Sequence, residues 1–242
     1  MRNEPVEQIS EYPPRPVKWP VMFQGWDRLT FLHWRYGPEV LSPLLPQGLE
    51  LDTFDGSAWV GLTPFVITGL RPPGLPAIPW ISRFPEMNVR TYVRGPDGER
   101  GIWFFSLEAA RAAAVAGARL GYGLPYRWAR MRVRHRPGEI EYTSQRHFGR
   151  GQAEIAIRMG PAIRPDERER FLTARFRLYT RFGSRLAFAQ VQHPPWPLQQ
   201  AEVLRLEQNV VEYSGLPAPV GEPLVHFSPG VYVRIGRPRF VR

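Results

Sequence analysis

Cysteine is absent from the 242 residues of the chain. Disulfide bonds, thiolate nucleophiles and cysteine-ligated zinc or iron–sulfur sites are therefore excluded, because each of them needs a cysteine sulfur. Intracellular compartments keep proteins reduced, and a chain without cysteine is compatible with them. We therefore predict a cytoplasmic location.

Lysine is almost absent, because Lys18 is the only one among 32 basic residues and the net charge is +10. Basic proteins can bind nucleic acids or anionic surfaces. The arginines here are spread along the chain and form no single block, which is typical of a solvated exterior. We therefore rank nucleic-acid binding last among the candidate functions.

Long hydrophobic runs are also missing. The longest uncharged run, residues 56–70, has fifteen residues and contains Pro64, whereas a membrane helix needs about 20 apolar residues. The N-terminus mixes charge with five prolines in twenty residues, unlike a signal peptide. We predict a proline-rich arm over residues 1–22, one domain over residues 23–242, and no membrane contact.

Short segments with alternating polar and apolar residues make up most of the chain. They predict a mainly-β or α+β fold, an antiparallel β-barrel or strongly bent sheet with a few flanking helices. Hairpin turns are expected at Pro137-Gly138 and Gly183-Ser184. The alanine-rich segment 110–120 predicts a helix closed by Gly121, and residues 202–216 predict another helix, followed by two closing strands.

Four arginines alternate along one predicted strand and resemble a phosphate-binding surface. Pairing this strand across Pro137-Gly138 places two glutamates on the neighbouring strand, directly opposite two of the arginines. The pattern therefore indicates an exterior ladder of ion pairs. The arginines are Arg130, Arg132, Arg134 and Arg136, and the glutamates are Glu139 and Glu141.

The opposite face of the same strand is apolar and begins at Arg127. We therefore predict a buried Arg127, and a buried guanidinium needs an anionic partner or ligand.

His193 is the last residue of the apolar layer formed by the second predicted hairpin. The sequence leaves open whether His193 has a structural role or binds a ligand. The five histidines lack metal-ligand spacing, and no phosphate- or dinucleotide-binding motif occurs, so we predict no metal and no cofactor.

Polar residues occupy one face of the strand "FPEMNVRTYV", namely Glu86, Asn88, Arg90 and Tyr92. Alternation alone leaves open whether this face meets water or lines a pocket.

Several motifs together resemble the YqjF-like bacterial proteins of unknown function. The resemblance covers roughly residues 23–233, and the motifs occur in the same order. They are "LHWRY", "LLPQGLELDTFDGSAWVGLTPF", "FPEMNVRTYV", "WFFSLEA", "GLPYRWARM", "FLTARFRLYT" and "HPPWPLQ". These proteins are in turn similar to the acetoacetate decarboxylase-like superfamily, which implies a β-barrel fold around a central cavity.

The superfamily resemblance also implies roles for particular residues. "GLPYR" is similar to the turn that carries the decarboxylases' Schiff-base lysine, but here Tyr126 and Arg127 replace the lysine pair. Glu86 matches their pocket glutamate. The resemblance thus implies a cavity lined by the polar face of Glu86, without the covalent step.

We derive three candidate functions from these observations. The first is binding of a small apolar or aromatic carboxylate, held by Arg90 or Arg127 with further contacts from Asn88, Tyr92 and His193. The second is a lyase or isomerase acting on a keto or enol substrate, with Glu86 as acid–base and Tyr126 assisting. The third is an interaction or nucleic-acid-binding protein.

Turnover and homo-oligomerisation are left open by the residues. The proline-rich loop "RPPGLPAIPW" is expected to cover the entrance of the pocket.

Overall fold

The structure is a computed structural model, which describes residues 7–241. Its strands are β1 Pro20–Tyr36, β2 Glu50–Leu51, β3 Ala58–Arg71, β4 Phe84–Arg94, β5 Arg100–Ala109, β6 Tyr126–Arg136, β7 Glu139–Arg146, β8 Gln152–Ala162, β9 Arg177–Phe182, β10 Arg185–Gln192, β11 Gln199–Gln208, β12 Leu224–Gly236 and β13 Arg239–Phe240. Its α-helices are α1 Pro38–Leu41, α2 Ala112–Tyr122 and α3 Glu167–Thr173. Two short 3₁₀ helices lie at Ser42–Leu44, directly after α1, and at Glu212–Ser214, between β11 and β12.

One sheet contains every strand of the described residues, in the order β13-β10-β9-β5-β6-β7-β8-β11-β12-β1-β3-β4-β2. Two additional pairings, β4 with β5 and β10 with β12, join strands that lie far apart in this order. The sheet therefore curves back on itself, which confirms the predicted mainly-β class and the strongly bent form. It is not purely antiparallel, because β5 pairs in parallel with both β6 and β9.

The two larger apolar clusters of the described residues pack against the curved sheet. One lies among β1, β3, β4, β5, β9, β10 and β12 under helix α2, and it contains Phe31, Phe65 and Trp196. The other lies between β1, β3 and β4 on one side and β7 and β8 on the other, and it contains Leu62 and Ile155. Alternation along each strand explains this division, because one face of a strand packs inward while the other meets solvent or the second cluster.

The N-terminal arm, as far as it is described, has no regular structure before β1. The backbone N–H of Val17 donates to the side chain of Gln192, and the carboxylate of Glu7 accepts from the backbone N–H of Arg100. Residues 1–6 of the predicted arm lie outside the described residues. The first strand begins at Pro20, inside the predicted 1–22 arm.

Residues 202–216 were predicted to be helical, and that prediction is wrong. Strand β11 covers the first part of the segment and pairs with β8, where Glu202 and Arg205 form ion pairs with Arg158 and Glu154. Pairing with β8 overrides the helical propensity of this segment. The two predicted closing strands are one long strand, β12, in which Gly230 has a φ of 135°.

Strands β6 and β7 pair in the predicted register, and one of the two predicted ion pairs of the ladder forms between them. Arg134 lies opposite Glu141 and Arg136 opposite Glu139. The guanidinium of Arg134 is 3.8 Å from the carboxylate of Glu141. Glu139 also approaches Arg158 of β8 at 3.6 Å, so acidic side chains accompany the arginines across this face.

Helix α2 ends two residues later than the sequence predicted. Gly123, with a φ of 63°, forms its C-cap, and a Cβ at this position would lie 2.8 Å from the carbonyl oxygen of Arg181. Gly121 is inside the helix, and a Cβ there would meet nothing within 4 Å. The left-handed conformation and the close strand together require glycine at position 123.

The two glycines provide a matched test. We expect Gly123→Ala to lower the free energy of unfolding by about 1–3 kcal/mol, because alanine is strained at positive φ and crowds Arg181. Gly121→Ala should raise it by up to about 1 kcal/mol, because alanine is the better helix former. Urea unfolding of both variants measures the difference; equal effects would contradict the assignment of the cap.

Candidate functional site

An internal cavity of about 90 Å³ lies within the first apolar cluster. It is enclosed by β1, β3, β4, β5, β9, β10 and β12 and covered by α2 and the turn that follows it. Most of its lining is apolar, including Met22, Phe65, Ile102, Leu107, Leu178 and Trp196. Apolar walls with a few convergent polar groups are typical of small-molecule sites.

The polar face of β4 turns inward, not toward solvent. Glu86, Asn88 and Arg90 are buried and all line the cavity. Tyr92 continues the same face but lies beyond the cavity wall. Its hydroxyl donates to the carbonyl oxygen of Leu172 at 2.7 Å and lies 2.7 Å from Nε2 of His33.

Glu86 forms a hydrogen-bonded pair with Tyr126. The Tyr126 hydroxyl donates to Oε2 of Glu86 at 2.9 Å. Burial raises the pKa of Glu86 to about 8, although the hydrogen bond from Tyr126 opposes this rise, and the charge of Glu108 adds to it. Burial also raises the pKa of Tyr126 well above its ordinary value. Glu86 is therefore a protonated carboxylic acid at neutral pH, able to donate a proton.

Tyr126 reaches the cavity from the start of β6, where the strand pairs with Leu107 of β5. The next residue, Arg127, is exposed, so the prediction of a buried Arg127 is wrong. The reason is that β6 passes from the cavity to the second cluster. Met131 and Val133, later on β6, lie on the same face of the strand as Arg127 and pack against the second cluster. Arg127 lies beyond the edge of that cluster.

Arg90 is 7% exposed and its guanidinium has few partners. Nη2 donates a long hydrogen bond of 3.4 Å to the carbonyl oxygen of Leu172, and Nε has no partner among residues 7–241. The guanidinium lies 5.4 Å from the ring centre of Phe31 and 5.9 Å from that of Tyr92. No carboxylate of the described chain forms an ion pair with it.

Arg175 is a second buried arginine at the cavity, and our sequence analysis did not identify it. Its Nη1 donates to Oδ2 of Asp52 at 2.8 Å, while Nε and Nη2 have no partner within the described residues. Its guanidinium stacks 4.3 Å from the ring centre of Phe171. The available signal was a charged residue inside the apolar motif "FLTARF".

His193 lines the cavity close to these arginines. Nδ1 donates to the carbonyl oxygen of Pro194 at 2.7 Å, and the ring packs against Phe176 and Trp196. Burial lowers the pKa of His193 to about 4. The imidazole is therefore neutral at pH 7, with Nε2 as a hydrogen-bond acceptor.

The proline-rich loop after β3 lies at the surface. The Ser82 hydroxyl donates to the carbonyl oxygen of Leu70, and Arg111 Nε donates to that of Trp80. None of its residues 71–80 lines the cavity, so its role as a cover of the entrance stays a prediction. Helix α2 contributes Ala118 and Tyr122 to the cavity lining.

A family model for an uncharacterized conserved protein family, DUF2071, matches residues 23–232. The chain belongs to the DUF2071 family. The uncharacterized protein YqjF of Bacillus subtilis (strain 168) is 38% identical over 213 residues, which cover 86% of this chain and 87% of that protein. The predicted resemblance to YqjF-like proteins is thus confirmed.

Solved structures of low sequence identity share the fold of this DUF2071 protein. The enduracididine biosynthesis enzyme MppR, complexed with pyruvate, has a TM-score of 0.66 at 14% identity, covering 91% of this chain and 90% of its own. An acetoacetate decarboxylase from Legionella pneumophila has a TM-score of 0.65 at 16% identity, covering 100% of this chain and 93% of its own. The fold is therefore acetoacetate decarboxylase-like.

The described residues contain no group of three or more His, Asp or Glu side chains that could hold a metal ion. Within residues 7–241, no helix has the length and apolar character needed to cross a membrane.

The raised pKa of Glu86 predicts a pH-dependent stability. The folded protein holds this proton up to about pH 8, whereas an unfolded glutamate releases it near 4.5. Because the folded state binds more protons in this window, stability falls as pH rises through it, by about 1.4 kcal/mol per unit between pH 5 and 8. The loss is complete about one pH unit above the folded pKa of about 8.

Glu86→Gln removes this titration while keeping an oxygen that accepts from Tyr126. We expect the difference in unfolding free energy between the variant and the wild type to grow across pH 5–8 in favour of glutamine. Urea unfolding at each pH measures that difference, in which the other titrating groups cancel. A difference independent of pH would show that Glu86 is ionised in the folded protein.

Proposed function

We propose that the cavity binds a small apolar or aromatic carboxylate through the guanidinium of Arg90. The observation that supports this most strongly is a buried arginine with no carboxylate partner in the described chain. An unpaired buried charge is costly, whereas a ligand carboxylate would supply the bidentate partner that guanidinium groups prefer. The free Nε and Nη2 of Arg175 offer further donors to the same anion.

The apolar lining fits the body of such a ligand. Trp26 and Trp196 stack with ring centres 6.1 Å apart, and Phe65 meets Trp26 edge-on at 5.9 Å. These rings favour an aromatic or aliphatic group beside the anion. The fold neighbour MppR is complexed with pyruvate, itself a small carboxylate, which is consistent with this class of ligand.

The proposed function does not involve a Schiff base. The resemblance of "GLPYR" implies that Tyr126 and Arg127 stand where the decarboxylases carry their lysine pair, and neither side chain forms an imine. Lys18, the only lysine, is exposed, lies in a surface groove near Phe188 and Arg239, and does not line the cavity.

Replacing Arg90 separates binding from stability. We expect Arg90→Met to fold with unchanged or higher stability, because it removes a buried charge that lacks a partner. It should lose the thermal shift that aromatic carboxylates give the wild type. A ligand at 100 times its dissociation constant stabilises by about 2.7 kcal/mol, or roughly 5–10 °C in melting temperature for a chain of this length.

The matched control is Arg132→Met, which removes an exposed arginine of the β6 ladder. It should keep the full shift. Equal shifts in all three proteins would place any bound carboxylate away from Arg90, and no shift in the wild type with keto acids, aromatic carboxylates or fatty acids would contradict the proposal.

A second candidate function, acid–base catalysis on a keto or enol substrate, is favoured by the Glu86–Tyr126 pair. A buried carboxyl with a pKa of about 8 is suited to donate a proton near neutral pH and take it back afterwards. The Tyr126 hydroxyl, which donates to Glu86 at 2.9 Å, would turn its single hydrogen to the developing oxyanion and stabilise it. The reaction would be of the lyase or isomerase type and would need no covalent bond between substrate and protein.

Exchange of substrate hydrogen with solvent tests this second function. Oxo acids incubated in D2O should incorporate deuterium next to the carbonyl faster with wild type than with Glu86→Gln, followed by proton NMR. If binding is intact in both proteins and neither accelerates exchange, Glu86 has no catalytic role and the site only binds.

A further inference from the structure

Midway along the polar face of β4, the side chain of Asn88 lines the cavity at 5% exposure. Its Oδ1 has no hydrogen-bond partner among the described residues. An unsatisfied buried amide oxygen costs about 1–3 kcal/mol. A ligand that donates a hydrogen bond to this oxygen would remove the cost and explain why the protein keeps the group in a cavity.

Two more polar atoms in the same cavity share this property. Thr63 pairs with Asn88 across β3 and β4, so their side chains are neighbours on the inward face. Oγ1 of Thr63 and Nε1 of Trp26 are buried and have no partner within residues 7–241. Both residues line the cavity. Apart from atoms of Arg90 and Arg175, these three are the buried side-chain polar atoms of the cavity lining that lack a partner within the described residues.

The chemistry of this set restricts the ligand group that can satisfy it. An amide oxygen needs a donor hydrogen, which a ketone or a hydrocarbon lacks. The indole N–H of Trp26 needs an acceptor. A hydroxyl supplies both, since it donates one hydrogen and accepts through its lone pairs.

The position of Asn88 fixes where that hydroxyl would lie. Along an extended strand, Asn88 is two residues from both Arg90 and Glu86, or roughly 7 Å in each direction. A ligand whose carboxylate is held at Arg90 can therefore present a hydroxyl from another carbon to Asn88, with its apolar body continuing toward Phe65, which pairs with Glu86.

We propose that the ligand is a hydroxy acid, with its carboxylate at Arg90 and a separate hydroxyl hydrogen-bonded to Asn88 and Thr63. This inference rests on the proposed function, because it takes the carboxylate position from it. It adds a specificity determinant: Asn88 selects hydroxylated acids against the same acids without the hydroxyl. A polar site left unpaired rejects the analogue that lacks the matching group.

Paired probes test the inference by isothermal titration calorimetry. The pairs are 3-hydroxy-3-phenylpropanoate with 3-phenylpropanoate, and 3-hydroxyhexanoate with hexanoate. We expect the hydroxylated member of at least one pair to bind the wild type tenfold or more tightly. Asn88→Leu should reduce that preference to less than threefold and leave the affinity for the unsubstituted acid within threefold of its wild-type value.

The variant should remain folded, because leucine removes an unsatisfied buried amide, and its melting temperature serves as the check. Thr63→Val removes the hydroxyl of Thr63 and provides a second test. It should also weaken the preference for the hydroxylated acid.

Each outcome decides between the two proposals. Equal affinities within both pairs, with binding lost in Arg90→Met, would overturn the hydroxyl inference and leave the carboxylate site standing. A hydroxyl preference that survives in Asn88→Leu and Thr63→Val would also overturn it. No binding of any probe to the wild type would overturn the carboxylate site and the inference together.

Discussion

Burial of the Arg90 guanidinium inside a curved sheet is the constraint on which the rest of the site depends. A strand whose polar face turns inward must either pair its charged groups or keep them for a ligand. Here the protein supplies only partial compensation. The aromatic faces of Phe31 and Tyr92 lie near the guanidinium, and the carbonyl oxygen of Leu172 accepts a long hydrogen bond.

The end of helix α3 organises this compensation. The last carbonyl groups of a helix have no partners within the helix and accept from elsewhere. The Leu172 carbonyl accepts from Tyr92 and Arg90, and the Thr173 carbonyl accepts from Nε1 of Trp196. The same helix end thus positions a cavity arginine and a cavity tryptophan. The capping box of Asp166 and Glu169 fixes the other end of the helix.

The cavity divides into regions of different electrostatic character. Arginine charges dominate at Arg90 and Arg175, whereas Glu86 at the other end of the β4 row is neutral near pH 7 because burial raises its pKa to about 8. A carboxylate is therefore attracted to the first region and is not repelled by the second. The neutral His193 adds an acceptor without adding charge.

Much of this arrangement was predictable from the sequence. Alternation placed Glu86, Asn88 and Arg90 on one face, and the motif order gave the acetoacetate decarboxylase-like fold. The direction of that face came only from the resemblance, because period-two alternation is the same for an inward and an outward polar face. Pairing between strands that are distant in sequence determined the features that were predicted wrongly. Arg127 lies at the surface because β6 passes from the first cluster to the second, and residues 202–208 pair with β8 as a strand.

Arg175 shows why a site of this kind is incomplete when read from sequence. It comes just before β9, far along the chain from Arg90, and reaches the cavity through the parallel pairing of β9 with β5. No local pattern records a contact between such distant segments. Its partner Asp52, in the short connection after β2, is equally remote in sequence.

A crystal structure of the protein with 3-hydroxy-3-phenylpropanoate tests the central claim most directly. The account predicts a ligand carboxylate oxygen about 2.7–2.9 Å from the guanidinium of Arg90, inside the cavity beneath α2. A carboxylate bound in the surface groove beside Lys18, with Arg90 paired to a carboxylate of the protein itself, would contradict it.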